Sequence, residues 1–173
     1  KEFDVVIAGA GMVGASLACL LAESSLSIAL VDRKPLVQGK DSDSPKLHSD
    51  KFDPRVSAIS QASQQLFRQL GVWEDMNAAR VCNYNAMEVW DAEGTGSIDF
   101  SAVEINQPEL GSIVENSIII AALHKRLAQL ENVFPITPFS IESFEQVERE
   151  DGLIVKLNAD DGQEIWAPLI IAA

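Results

Sequence analysis

The chain has 173 residues, of which 47% are hydrophobic and 23% charged, and its 13 basic against 26 acidic side chains give a net charge of −13. That length and balance describe a soluble globular domain with its own core, and exclude a disordered or fibrous chain. The acidic surplus excludes nucleic acid as a partner held by a broad basic surface, and no apolar run approaches the roughly 20 residues of a membrane-spanning helix.

The first predicted element is the apolar strand Val5-Val-Ile7, which runs into Gly9-Ala10-Gly11-Met12-Val13-Gly14 and then a helix whose expected apolar stripe is Val13, Leu17, Leu20 and Leu21. A strand turning on three glycines into a helix is a dinucleotide fingerprint. The first glycine permits the tight turn, the second lets backbone approach the pyrophosphate, and the third lets helix and strand pack closely. The anion then rests on the helix N-terminus, where unpaired N–H groups and the helix dipole favour negative charge.

A second strand, Ser27 to Val31, ends in Asp32, at the separation from the glycines expected of a ribose-binding acid. A carboxylate there accepts bonds from ribose hydroxyls and repels a 2′-phosphate, which argues against NADP at this site and leaves NAD and FAD open. Arg33 and Lys34 follow at once, as cations that either soften this repulsion or stand solvated in a loop; Arg33 is kept in the candidate set.

From Lys34 to Asp53 the chain is rich in Pro, Asp, Ser and Lys, which predicts a long mobile loop that a simple NAD-binding unit would not need. It delivers Asp53-Pro-Arg55-Val-Ser-Ala-Ile-Ser60, and a helix follows with Ala62, Leu66, Phe67 and Leu70 on one face, capped by Ser60 in front and Gly71 behind. Met87–Trp90 and Ser97–Phe100, joined by Asp91 to Gly96, read as a hairpin outside the parallel-sheet pattern. Glu115-Asn116-Ser117 opens a helix striped by Ile120, Leu123, Leu127 and Leu130, with Asn116 or Ser117 as its N-cap.

In the last third, strands are expected from about Phe139 to Val147 and over Leu153–Leu157. A turn at Asp160-Asp-Gly162 then leads to an antiparallel return over Glu164–Ala167 and a core strand at Leu169–Ala173. The predicted fold is therefore α/β: a Rossmann-like nucleotide-binding unit with a β-meander crossover and one hairpin belonging to another layer. Cys19 and Cys82 show neither CxxC nor metal-ligand spacing, so no disulfide or metal site is expected and a reducing, cytoplasmic setting fits best. His48, in a polar loop, and His124, on a helix, are assigned no ligand or catalytic role. The start at Lys1 and the stop within an apolar run suggest part of a longer polypeptide.

Five segments, Gly9-Ala-Gly11-Met-Val-Gly14, Arg55-Val-Ser-Ala-Ile59, Leu70-Gly-Val-Trp73, Met87-Glu-Val-Trp-Asp91 and Leu110-Gly-Ser-Ile-Val-Glu-Asn-Ser117, occur here in this order. With them the chain resembles the FAD-dependent aromatic hydroxylases of ubiquinone biosynthesis, the octaprenylphenol hydroxylase group of the para-hydroxybenzoate hydroxylase superfamily, along nearly its whole length. The resemblance implies an FAD-binding fold, incomplete at the C-terminus, in which residues 1–173 form the N-terminal part and about 84–110 contribute to the sheet of the substrate domain. It implies that Gly9 to Gly14 hold the FAD pyrophosphate and that Asp32, where the family more often has Glu, holds the adenosine ribose. Arg55 would lie along the FAD, and Asn116 near it, at a helix start where capping alone also explains an asparagine.

Trp90 is expected to pack in the hairpin sheet, and Ala172 stands where the family usually has glycine. The implied activity is that of a monooxygenase passing oxygen from a flavin C4a-hydroperoxide to a phenol, with O2 and NAD(P)H as co-substrates. A polyprenylated phenol and a biosynthetic complex at the membrane surface are the implied partners, with the protein peripheral to the inner membrane. No catalytic residue is assigned within the chain. Roughly two-fifths of a family member is present, without a second flavin-contact motif, so a polypeptide ending at Ala173 is expected to bind FAD weakly and not to catalyse. An NAD-dependent dehydrogenase and a non-catalytic flavin-fold scaffold are the competing readings.

Overall fold

β1 (Val5–Ala8) and β2 (Ile28–Val31) form because both are short runs of β-branched and apolar residues buried from both faces, as the strands of a covered parallel sheet must be. The computed structural model of the protein describes residues 1–37, 52–150 and 152–173. Most of the predicted Lys34–Asp53 loop, His48 included, lies outside the described residues.

The chain divides into two units, one of Lys1–Ser44 with Leu123–Ala173 and the other of Pro45–Ala122. In the first, α1 (Met12–Leu21) joins β1 to β2, and β8 (Val133–Ile136) and β12 (Leu169–Ala172) complete a parallel sheet in the order β12-β1-β2-β8. The chain leaves β1 toward β2 on one side, while β12 joins β1 on the other. The C-terminal end of β1 is therefore a topological switch point, the place where open α/β sheets form a ligand crevice.

The predicted β-meander is present as β9 (Ile141–Arg149), β10 (Gly152–Ala159) and β11 (Glu164–Ala167), antiparallel in the order β11-β10-β9. Its inward residues Leu157, Ala159, Ile165 and Ala167 share one buried cluster with Val6, Ala29 and Val31 of the parallel sheet and with Phe139. One expectation needs correction here. The buried residues of α1 are Gly14, Ala15, Ser16, Ala18 and Cys19, while Val13 is 66% exposed; small side chains bring the helix axis close to the sheet, and the bulkier leucines fall to the flanks. Leu169–Ala172 pairs in parallel with β1 along its whole length, Val5 opposite Leu169 to Ala8 opposite Ala172.

In the second unit, β3 (Val56–Ser60) and β4 (Cys82–Tyr84) flank β7 (Gly111–Glu115) in an antiparallel sheet. None of the three was expected as a strand. α2 (Gln61–Gln69) is capped as predicted: the Ser60 hydroxyl accepts from the Ser63 amide, and Gly71 takes a φ of +74° behind it. Its buried side differs from the expected face, for Gln64, Phe67 and Leu70 are inside whereas Ala62 is exposed. Buried Gln64 is tolerated because its amide donates to Ser112 Oγ and its carbonyl accepts from Arg68. Past Gly71 the chain enters a further short helix, α3 (Trp73–Ala79).

The predicted hairpin is present and pairs β5 (Ala86–Trp90) with β6 (Ser97–Ser101), Met87 opposite Phe100 and Trp90 opposite Ser97. Met87, Val89, Trp90, Ile98 and Phe100 are all exposed in it. The division between units falls within α4 (Asn116–Leu127), whose buried residues Ile118, Ile119, Ala121, Ala122, Leu123, His124 and Leu127 include Leu123 and Leu127 of the expected stripe but not Ile120.

Candidate functional site, a nucleotide-binding turn

The three glycines at the end of β1 have three different physical reasons. Gly9 has a φ of +116°, and a β-carbon on it would overlap the carbonyl oxygen of Ala173. Gly14 has no room for one either, because it would overlap the carbonyl oxygen of Gly9 and stand 3.2 Å from Ile7 Cγ2. Gly11 is unlike both. Its φ of −68° and ψ of −172° suit any residue, and a β-carbon there would meet nothing within 4 Å. The chain's own packing thus demands Gly9 and Gly14, and leaves the open face at Gly11 to whatever approaches the turn.

Gly11 is also the N-cap of α1, with no side-chain cap, no acidic residue in the first turn, and the Ala15 amide donating to its carbonyl. The amides of Gly11, Met12, Val13 and Gly14 have no carbonyl partner within the helix, and they mark its positive end. Such an end takes an anion, as the residues fit a pyrophosphate.

Asp32 closes the site from β2. Its Oδ2 accepts the Ala10 amide at 2.8 Å and its Oδ1 the Lys34 amide at 2.8 Å. Each oxygen keeps a lone pair for a further donor such as a ribose hydroxyl. Part of the carboxylate's work is therefore internal, holding the glycine turn to the end of β2, a role the sequence reading missed. Asp32→Ala is accordingly expected to lose about 2 kcal/mol of stability with no nucleotide present, measured by urea unfolding; a carboxylate serving ribose alone would leave that curve unmoved. Arg33, Ala10 and Met12 are exposed, buried and half-buried respectively.

His124, assigned no role from sequence, is 93% buried beneath this turn. Its Nε2 lies 2.7 Å from the Ala10 carbonyl oxygen, and the Val37 amide donates to its Nδ1 at 3.0 Å. Burial pushes its pKa down, with the Ala10 bond and the charge of Asp32 opposing.

Arg55 and Asn116 belong to the second unit, where the Asn116 amide donates to the Arg55 carbonyl at 3.0 Å. The structure brings these two together, at the head of β3 and the start of α4, and separately groups Gly9 to Gly14 with Asp32. Asn116 is not the expected cap, since its Oδ1 accepts from the Ser57 hydroxyl at 2.6 Å. The helix end is capped from afar by Asp53, whose Oδ2 accepts the Ser117 amide while its Oδ1 accepts the Arg55 amide. Behind it Glu115, buried, accepts the Asp53 amide with Oε2 and Arg80 Nε with Oε1, both at 2.6 Å. The guanidinium of Arg80 lies 4.1 Å over the Phe52 ring.

This network has a pH signature. The Arg80 bond holds the Glu115 carboxyl below its ordinary value of 4.5, and the Arg55 amide, followed by the Ser117 side chain, holds Asp53 below 3.8. Both groups are depressed in the folded state, so between folded and unfolded pKa values the unfolded chain binds more protons. Their stabilisation is complete above those ordinary values and is lost as pH falls through the folded ones. Urea midpoints should therefore decline from about pH 4.5 downward, and Glu115→Gln should flatten that slope.

With this geometry in place, the FAD binding domain family model matches residues 2–173. The chain belongs to this FAD-binding family. It is 33% identical over 170 residues to the 3-demethoxyubiquinol 3-hydroxylase of Escherichia coli, a match covering 98% of this chain and 40% of that protein. It is also 33% identical over 171 residues to the ubiquinone biosynthesis monooxygenase COQ6 of Caenorhabditis elegans, over 89% of this chain and 36% of the relative. The chain thus spans about two-fifths of the length of the curated relatives it matches. The fold is that of p-nitrophenol 4-monooxygenase PnpA from Pseudomonas putida, with a TM-score of 0.70 at 15% identity over all of this chain and 41% of that one. The anhydrotetracycline hydroxylase OxyS from Streptomyces rimosus aligns with a TM-score of 0.67 at 18% identity, over all of this chain and 32% of its own. The expected FAD-binding fold and the ubiquinone-hydroxylase resemblance are both borne out. Among the described residues of this FAD-binding chain, no helix is long and apolar enough to cross a membrane. Cys19 is a buried free thiol whose pKa burial raises to about 11, and Cys82 is exposed and free.

Proposed function

We propose that this chain is the dinucleotide-binding part of an FAD-dependent monooxygenase that hydroxylates a phenolic ring, polyprenylated, in ubiquinone biosynthesis. The observation that carries the reading is Gly11, a residue with ordinary dihedrals and open space around it, at the uncapped positive end of α1. A glycine there serves an incoming diphosphate, whose oxygens need the backbone closer than a side chain allows. Sequence similarity to two ubiquinone-pathway hydroxylases supports the pathway.

In this reading Gly9 and Gly14 shape the turn, Gly11 to Gly14 supply amides to the pyrophosphate while the Ala10 amide stays with Asp32, and Asp32 accepts from the adenosine ribose beside the exposed Arg33. Arg55 and Asn116, joined by one backbone bond, are the further cofactor contacts that the resemblance implies. The flavin, when bound, supplies the redox chemistry that activates O2, with NAD(P)H as the expected electron donor. The chain's own residues bind and orient, and none is assigned a covalent or proton-transfer role. The β5–β6 hairpin, with Trp90, Ile98 and Phe100 exposed, contributes to the sheet of a substrate domain spanning about residues 84–110 and further chain. A long-tailed substrate implies work at the membrane surface, peripheral to the inner membrane and in a biosynthetic complex.

The visible spectrum and released-cofactor mass of the full-length protein test the first step. Flavin bands and the mass of FAD are expected, whereas a folded protein that stays colourless on titration with FAD ends the proposal. Co-sedimentation with lipid vesicles tests the second, and a flavoprotein that ignores both vesicles and pathway proteins would rule out the long-tailed substrate.

A further inference from the structure

We propose that His124 is a positioning residue for the cofactor: as a neutral imidazole protonated on Nε2, it fixes the peptide between Ala10 and Gly11 so that the Gly11 N–H faces the incoming diphosphate. The inference rests on reading the glycine turn as the FAD site.

The hydrogen bonds determine the tautomer. Val37 presents an amide, which only donates, so Nδ1 must hold a lone pair. The Ala10 carbonyl only accepts, so Nε2 must carry the proton. The ring is therefore neutral and directional, and burial favours that state by penalising the charged form. The charged groups on the connected segments are Asp32, Arg33 and Lys34 after β2 and Lys125 and Arg126 on α4. Of these, Asp32 acts on the ring, drawing its pKa up against burial.

The Ala10 carbonyl and the Gly11 amide belong to one planar trans peptide, in which C=O and N–H point in opposite directions. Holding the oxygen at 2.7 Å against a buried ring therefore aims the Gly11 N–H away from the core. The preceding peptide is fixed from its other side, because the Ala10 N–H is held by Asp32 Oδ2. Two side chains from distant parts of the sequence thus clamp consecutive peptides of the turn before any ligand arrives. An anion site with preset amides avoids the cost of ordering them on binding. The same ring also holds the Val37 amide, so the turn and the segment after β2 share one support.

Protonation would affect these two bonds differently. Nε2–H would still donate to Ala10, but Nδ1–H would face the Val37 N–H and that bond would break. Val37 protection against hydrogen exchange, corrected for the intrinsic rate, should therefore fall as pH drops below the ring's ordinary value of about 6.5 toward its lower folded one.

The test uses the full-length protein. Two-bond 15N spectra near neutral pH should show the Nε2–H tautomer, and FAD titrations should show affinity weakened about tenfold or more in His124→Phe. His124→Gln, which offers one donor and one acceptor, should retain affinity to within about threefold and lose the pH dependence at Val37. A ring protonated on Nδ1, or wild-type affinity in His124→Phe, overturns the proposal. If His124→Phe does not fold, the pH series on the unaltered protein decides, and constant Val37 protection through the ring's titration overturns it. Failure of the unaltered protein to take up FAD, with tautomer and Val37 titration as expected, would instead overturn the reading of the turn as an FAD site.

Discussion

Gly14→Ala is expected to destabilise the protein by about 2 kcal/mol or more, with or without cofactor, in urea or thermal unfolding followed by circular dichroism. Two effects oppose each other. Alanine inside a helix is favoured over glycine by about 1 kcal/mol, which on an open helix face would raise stability. At this position the added methyl overlaps the Gly9 carbonyl oxygen and presses on Ile7 Cγ2. Overpacking of this kind costs about 3 kcal/mol when the neighbour is backbone that cannot rotate away. Gly9 is itself held by a bond from its amide to the Val31 carbonyl at 2.8 Å, and Ile7 is fully buried, so neither can give way cheaply. An unchanged midpoint would mean that α1 does not pack on β1 as closely as described.

Gly11→Ala should do the reverse. Its dihedrals already suit alanine, nothing stands within 4 Å of the new methyl, and the exchange of glycine for alanine at an N-cap costs under about 1 kcal/mol. Stability should scarcely move, while FAD affinity, followed by quenching of flavin fluorescence, should fall by at least about tenfold because the methyl occupies the space of a phosphate oxygen. Together the two substitutions separate the glycine required by the chain from the glycine required by its ligand. Unchanged FAD binding in Gly11→Ala would remove the main support for the proposed site.

Much of this site was legible without coordinates because its signals are local. A strand's apolar run, glycines at fixed offsets and an acid at the end of the next strand all follow from backbone geometry over a few residues, and the hairpin followed from two strand-like runs on either side of one loop. The α2 cap at Ser60 and the Gly71 stop were legible for the same reason. Less visible were β3, β4 and β7, where buried Ser112 and Glu115 interrupt the apolar pattern and are tolerated only because Gln64, Arg80 and Asp53 satisfy them. The α1 face departs from the large aliphatic stripe that helical periodicity predicts, because close approach to the sheet favours Gly14, Ala15 and Ala18.

Taken alone, the order of residues determined that the amino end is a strand-turn-helix suited to a dinucleotide and that a β-meander precedes the next parallel strand, since each depends on neighbours along the chain. It also carried the family resemblance. What only the folded chain decided is which residues share the turn's internal bonds: Asp32 holding Ala10, His124 beneath the same residue, and Asp53 capping a helix that starts 63 positions later, at Asn116. Those pairings join groups far apart in sequence. Nothing in a histidine's or aspartate's immediate neighbours specifies which distant amide or carbonyl it will satisfy, because that is set when burial brings unpaired backbone groups together and each must find a partner.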